Sequence, residues 1–168
     1  MNELASAATT MTIRFRLNGE ERTACTRSDT RLVDLLREDF ALTATKAACH
    51  IGRCGSCLVL VNGAAVNACL LMAWQIDGAD IISPEALTAW PEGRIVAQAL
   101  VTEVAFQCGY CAPGFAVALT ALFRRQPQAD EAAIRAALEG NICRCSGYAS
   151  IVRGAIRARQ RLAAQSQP

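Results

Sequence analysis

The sequence predicts an α+β chain, a β-grasp first half followed by a bundle of four short helices. Three observations carry this. The first half alternates apolar and polar residues with the period of a half-buried strand, and asparagine–glycine pairs stand at Asn18-Gly19 and Asn62-Gly63. The second half has the longer helical period, with Pro113, Asp130 and Gly140 where helices start or stop. Nine cysteines lie in a 168-residue chain with one histidine, so thin cores have an available staple.

The elements follow in order. Met11, Ile13, Phe15 and Leu17 alternate with Thr12, Arg14 and Arg16, a strand. Asn18-Gly19 is a strong hairpin turn, and Glu20 to Cys25 is its return. Asp29 or Thr30 caps a short helix that places Leu32, Leu35, Leu36 and Phe40 on one face. Lys46 to Cys57 has little periodicity. Leu58 to Val61 is a strand, Asn62-Gly63 a second turn, Ala65 to Ala68 the return, and Ile81 to Ser83 a last short strand. Helices are expected over 94–105, from Pro113 to about Arg125, from an Asp130 cap to a left-handed Gly140, and from about Tyr148 to Ala164. The divisions are a flexible N-terminus (1–10), a first unit (11–83), a linker (84–92), a helical unit (93–164) and a tail (165–168).

Composition bounds the function. Hydrophobic residues make up 52% and charged residues 19%, the balance of a folding chain. A formal net charge of +2 gives no bulk electrostatic case for nucleic acid. The run Arg153, Arg157, Arg159 and Arg161 reads as the solvated face or partner rim of the last helix. No apolar run approaches the roughly 18 residues of a membrane span. Met1 to Thr10 lacks the basic start and long apolar stretch of a secretory signal. An odd cysteine count disfavours a fully paired disulfide framework. A reducing compartment, the cytoplasm, is therefore expected, with export alongside a signal-bearing partner as the other route.

The cysteines form two groups. Cys49, Cys54, Cys57 and Cys69 are spaced C-x4-C-x2-C with a fourth after eleven residues, the plant-type [2Fe–2S] spacing. Gly52 and Gly55 let backbone N–H groups approach the sulfurs. Cys108, Cys111, Cys143 and Cys145 form a C-x2-C and a C-x-C, each ahead of a helix. Helix N-termini aimed at a negatively charged group would offset its charge. Two four-cysteine zinc sites are the alternative reading. A disulfide closing the C-x-C loop would be strained. Cys25 reads as a small buried hydrophobe on a strand. His50, beside Cys49, reads as a solvated loop histidine, with protonation coupled to cluster reduction as its functional alternative. Ordinary packing is the default for Trp74 and Trp90.

Several segments resemble the small iron–sulfur subunit of the molybdenum hydroxylases, the xanthine dehydrogenase and aldehyde oxidase family. They are Leu32-Val-Asp-Leu-Leu-Arg37, Thr45-Lys46, Gly52-Arg-Cys-Gly-Ser-Cys57, Gln107-Cys-Gly-Tyr-Cys-Ala-Pro-Gly114 and Gly140-Asn-Ile-Cys-Arg-Cys-Ser-Gly-Tyr148. The resemblance spans about residues 11 to 160. It implies a plant-ferredoxin-like domain and a four-helix domain, each holding one [2Fe–2S] cluster. It implies a large partner subunit carrying molybdopterin, in its cytosine dinucleotide form, with Gln107 and Cys145 close to the pterin. It also implies FAD on a medium subunit, or another acceptor such as a cytochrome. Ala44, Ala48, His50, Ser56, Leu58 and Ala112 depart from residues common in relatives; none of them is a cysteine.

The leading function is thus an electron-transfer subunit of an oxidoreductase complex. It would relay single electrons from a molybdenum centre during hydroxylation of an N-heterocycle or purine, or oxidation of an aldehyde. The chain has no nucleotide-binding glycine fingerprint and no substrate pocket legible in its sequence, so alone it should not turn over an organic substrate. The rival functions are a free-standing two-cluster ferredoxin and a zinc-stapled interaction module.

Overall fold

The computed structural model describes residues 9–165. The expected flexible start and tail fall largely on 1–8 and 166–168, outside the described residues. Within them, Thr10 already begins a strand and Gln165 still ends a helix.

A five-stranded mixed sheet forms the first half. Strands β1 (Thr10–Leu17) and β2 (Glu20–Arg27) make the first hairpin, and β3 (Leu58–Val61) and β4 (Ala64–Asn67) the second. Strand β5 (Asp80–Ile82) joins them, parallel to β1 and antiparallel to β3, in the order β2-β1-β5-β3-β4. Both turns have the positive φ that a two-residue hairpin requires: Asn18 56° and Gly19 89°, Asn62 50° and Gly63 82°. On β1 the inward residues Ile13, Phe15 and Leu17 are buried.

They pack against α1 (Leu32–Asp34), one turn that continues as a π-helical turn over Leu35–Asp39. Arg31, not Asp29 or Thr30, occupies the N-cap position, with no side-chain cap. Both expected caps are engaged elsewhere: Asp29 accepts from Arg27 at 2.8 and 2.9 Å, and Thr30 Oγ1 accepts from Thr26 at 2.9 Å. Cys25 is exposed rather than buried. On β2 its neighbour Ala24, paired with Ile13, takes the inward position, and strand alternation turns Cys25 outward.

The second half is helical. The connection contains a 3₁₀ helix over Pro84–Ala89, whose Leu87 is buried in the helical core. Helix α2 (Pro91–Thr102) starts earlier than expected, because Pro91 fits the first turn, where no N–H partner is needed. Then come α3 (Ala112–Arg125), α4 (Glu131–Leu138) and α5 (Ala149–Gln165). Asp130 caps α4, its carboxylate accepting from the Ala133 N–H at 2.8 Å. Gly140 is not left-handed; α4 stops at Leu138 with Glu139 in helical geometry at its C-cap. The Arg124 guanidinium lies 3.8 Å from the centre of the Trp90 ring, and Trp74 is exposed. Arg153 and Arg157 pair with Glu103 at the end of α2.

Strand β3 joins the halves. Leu58 and Leu60 pack into the helical core, while Val59 packs under the sheet. With both faces covered, its sequence is an unbroken apolar run rather than an alternating one. Among the described residues no helix is long and apolar enough to cross a membrane.

Candidate iron–sulfur sites

The first cysteine loop is built by donors that fix an irregular backbone. One nitrogen of Arg37 donates to the carbonyls of Thr43 and Thr45, at 2.9 and 3.0 Å. Arg31 donates to the carbonyl of His50 at 3.1 Å, and Asn67 to that of Gly52 at 3.2 Å. His50 itself is exposed, at φ 55°. The Arg53 N–H points at the Cys49 sulfur, 3.3 Å away. A methyl group on Gly55, already left-handed at φ +69°, would sit 2.5 Å from the Gly140 oxygen, so the loop must be bare there. Cys69 follows β4, where the Ala68 N–H donates to the Cys57 carbonyl at 3.2 Å.

The second set lies at the ends of two helices. Cys111 is the N-cap of α3, and Cys108 precedes it by three residues. Cys143 and Cys145 lie in the loop ahead of α5, whose start at Ala149 falls within one residue of the expected one. Ser146 serves the Cys143 sulfur twice, with its hydroxyl 3.1 Å and its N–H 3.4 Å away. The Tyr148 hydroxyl accepts from the Cys143 N–H at 2.9 Å. The Gln107 amide donates to the Cys145 carbonyl at 2.9 Å.

The thiols fall into four couples: Cys49 with Cys54, Cys57 with Cys69, Cys108 with Cys145 and Cys111 with Cys143. Their acidities follow from burial and neighbours. Burial pushes Cys49 up, but the N–H groups of Ile51, Cys54 and Arg53 and the Cys54 thiol outweigh it and bring Cys49 to about 6. Cys143 reaches about 7 in the same way, burial being outweighed by Ser146, the Cys145 N–H and Cys111. Burial, with the Cys69 thiol adding to it, drives Cys57 up to about 12. Burial and Cys143 drive Cys111 to about 12. Cys108 raises exposed Cys145.

This donor set fits a [2Fe–2S] group. Two bridged irons take two thiolates each, and each set supplies a buried couple and a more exposed one. N–H and O–H groups aimed at sulfur suit a charged thiolate–iron unit.

Sequence reasoning missed Arg31, Arg37, Tyr110 and Asn141. Arg37 lies inside a recognised segment, but its carbonyl partners are in a loop without periodicity. Tyr110 lies between two cysteines, and its hydroxyl reaches Ala47 in the other half at 2.7 Å. Asn141 lies beside Gly140 in a cysteine motif, which was the one available signal.

Comparison with known proteins agrees with this architecture. Residues 15–88 match the family described as a 2Fe-2S iron-sulfur cluster binding domain, and residues 84–156 match a [2Fe-2S] binding domain. The chain is 46% identical over 149 residues to a probable xanthine dehydrogenase subunit of Bacillus subtilis, covering 89% of this chain and 86% of that protein. It is 41% identical over 141 residues to the nicotinate dehydrogenase small FeS subunit of Eubacterium barkeri, covering 84% and 90%. Among solved structures, a chain of quinoline 2-oxidoreductase from Pseudomonas putida 86 superposes with a TM-score of 0.85 at 29% identity, covering 94% of this chain and 99% of that one. The aldehyde oxidoreductase of Desulfovibrio desulfuricans gives the same score and identity, covering 92% and 17%. Matching family domains, whole-length relatives and a common fold converge: the chain belongs to the small iron–sulfur subunits of the xanthine dehydrogenase family of molybdenum oxidoreductases, and it acts within an oxidoreductase complex.

Proposed function

We propose that this chain is the electron-relay subunit between a molybdopterin centre on a large partner and FAD on a medium subunit, or another acceptor such as a cytochrome. The reaction served is hydroxylation of an N-heterocycle or purine, or oxidation of an aldehyde. Cys49, Cys54, Cys57 and Cys69 hold the first [2Fe–2S] cluster within a ferredoxin-like unit over 11–83. Cys108, Cys111, Cys143 and Cys145 hold the second within a four-helix bundle over 93–164, reached through 84–92. When bound, each cluster supplies a one-electron carrier, and two in series split a two-electron oxidation into single steps.

The exposed face around Cys108 and Cys145 carries this reading. Beside it lies an apolar groove of about 460 Å³, lined by Val101, Val104, Phe106 and Pro113 among others. Val101 is 78% exposed and Val104 77%. Such a patch beside an exposed redox site suits a large apolar partner surface. Gln107 is exposed there, its side-chain nitrogen bound to the Cys145 carbonyl. That bond holds the amide beside Cys145, on the face where a partner-held pterin, in its cytosine dinucleotide form, would sit.

The test uses the complex. Chain and large subunit, isolated together without oxygen, are mixed with the organic substrate and followed by EPR. The account expects substrate to reduce both clusters in the complex and neither in the isolated chain. A chain that purifies alone while its partners are present, and whose clusters substrate never reduces, would instead be a free-standing ferredoxin.

A further inference from the structure

The two cysteine loops are tied to each other directly, and apolar packing between the halves does not require those ties. Leu58 and Leu60 already join β3 to the helical core. Yet further contacts cross between the halves, each within three residues of a cysteine on both sides. The Ile142 N–H donates to the Cys54 carbonyl at 3.0 Å. The Asn141 side chain, 3% exposed, donates to the Gly55 carbonyl at 3.3 Å. Gly114, three residues after Cys111, abuts that same carbonyl so closely that a methyl group there would overlap it. Tyr110 donates its hydroxyl to the Ala47 carbonyl at 2.7 Å, with the Lys46 ammonium 5.8 Å from its ring centre.

A buried amide is a costly choice where an apolar residue would fill space, because an unpaired polar group there costs about 1–3 kcal/mol. Its geometric yield is direction and distance, which apolar packing specifies poorly. The ties sit within three residues of the cysteines. Electron exchange between two carriers falls steeply with their separation, so a fixed separation is the property these ties control.

We propose that Tyr110 and Asn141 are positioning residues that clamp the first cysteine loop to the second and so set the separation of the two clusters. This rests on the iron–sulfur reading above. Neither residue is a ligand. Each acts through the loop it holds: Asn141 through Gly55 beside Cys54, and Tyr110 through Ala47 ahead of Cys49.

The experiment is low-temperature EPR on the fully reduced chain, in which two nearby paramagnetic centres split each other's lines. That splitting weakens as the centres move apart. Tyr110→Phe removes one oxygen and keeps the ring; Asn141→Ala removes the amide. The expected result is parental iron and sulfide content, parental g values for each signal, and a narrowed or lost splitting, more so in the double variant. Splitting identical to the parent in iron-replete variants overturns the inference, even if their melting temperatures fall. Should Asn141→Ala lose iron, Tyr110→Phe decides alone. A parent with two clusters and no splitting overturns only this inference. A parent without iron overturns the iron–sulfur reading with it.

Discussion

Ile142 donates its backbone N–H to the carbonyl of Cys54 at 3.0 Å, linking a residue that adjoins Cys143 to a cysteine of the other set. The two cysteine sets therefore belong to one block of structure, although one lies in loops beside the sheet and the other in loops beside helix ends. The consequences reach stability, iron binding and thiol chemistry.

Gly114→Ala should destabilise the chain by about 1–3 kcal/mol, the usual cost of overpacking where nothing can yield. Its added methyl would meet the backbone oxygen of Gly55 and not a flexible side chain. Gly140→Ala is the control. Gly140 is not left-handed and has open space where the methyl would go, so its change should stay within about 0.5 kcal/mol. Thermal melts of the two variants beside the parent measure the difference.

Much of this was legible in the sequence, and the boundary has a physical basis. Asn18-Gly19, Asn62-Gly63 and Asp130 announce their roles because turns and caps are local chemistry. The cysteine sets are legible because metal chemistry restricts spacing. The π-helical turn over Leu35–Asp39 was not, since its apolar pattern is also that of an ordinary helix. Cys25 was misplaced because one residue of strand register decides inside from outside. Asn141 and Gly55 lie 86 residues apart, and no local pattern encodes such a bond.

Arg37→Met should impair the first site and spare the second. It deprives the Thr45 carbonyl of its side-chain donor on the approach to Cys49, at a cost of about 1–3 kcal/mol because Thr45 is buried, while the exposed Thr43 carbonyl keeps the Lys46 ammonium at 2.8 Å. Reconstitution with iron and sulfide, followed by the two EPR signals separately, should show slowed or incomplete recovery of one signal only. Equal impairment of both would contradict a local role.

Cys57→Ser should remove the ferredoxin-like cluster and leave the other largely intact, while Cys145→Ser should do the reverse. Cys25→Ser should leave both, since Cys25 faces out from β2. Iron counts and EPR on each variant read the outcome. Retention of both signals in Cys57→Ser or Cys145→Ser refutes the ligand assignment.

In the iron-free chain the thiols should ionise in a set order. Cys49, brought to about 6, and Cys143, brought to about 7, are largely thiolate at pH 7.5, whereas Cys57 and Cys111, at about 12, remain protonated. Alkylation followed by peptide mass spectrometry should therefore label Cys49 before Cys57 and Cys143 before Cys111. The linked stability effects have opposite signs. The depressed thiols stabilise the fold fully above their ordinary value of 9.0, and that gain is lost as pH falls through 7 and 6. The raised thiols stabilise it fully below 9.0, and that gain is lost as pH climbs toward 12.

The most direct test of the central claim is an anaerobic dithionite titration of the purified chain with low-temperature EPR and iron and sulfide counts. The account predicts two distinct rhombic signals and about four irons per chain. A colourless, EPR-silent protein holding stoichiometric zinc after isolation under cluster-preserving conditions would contradict it and leave a zinc-stapled interaction module.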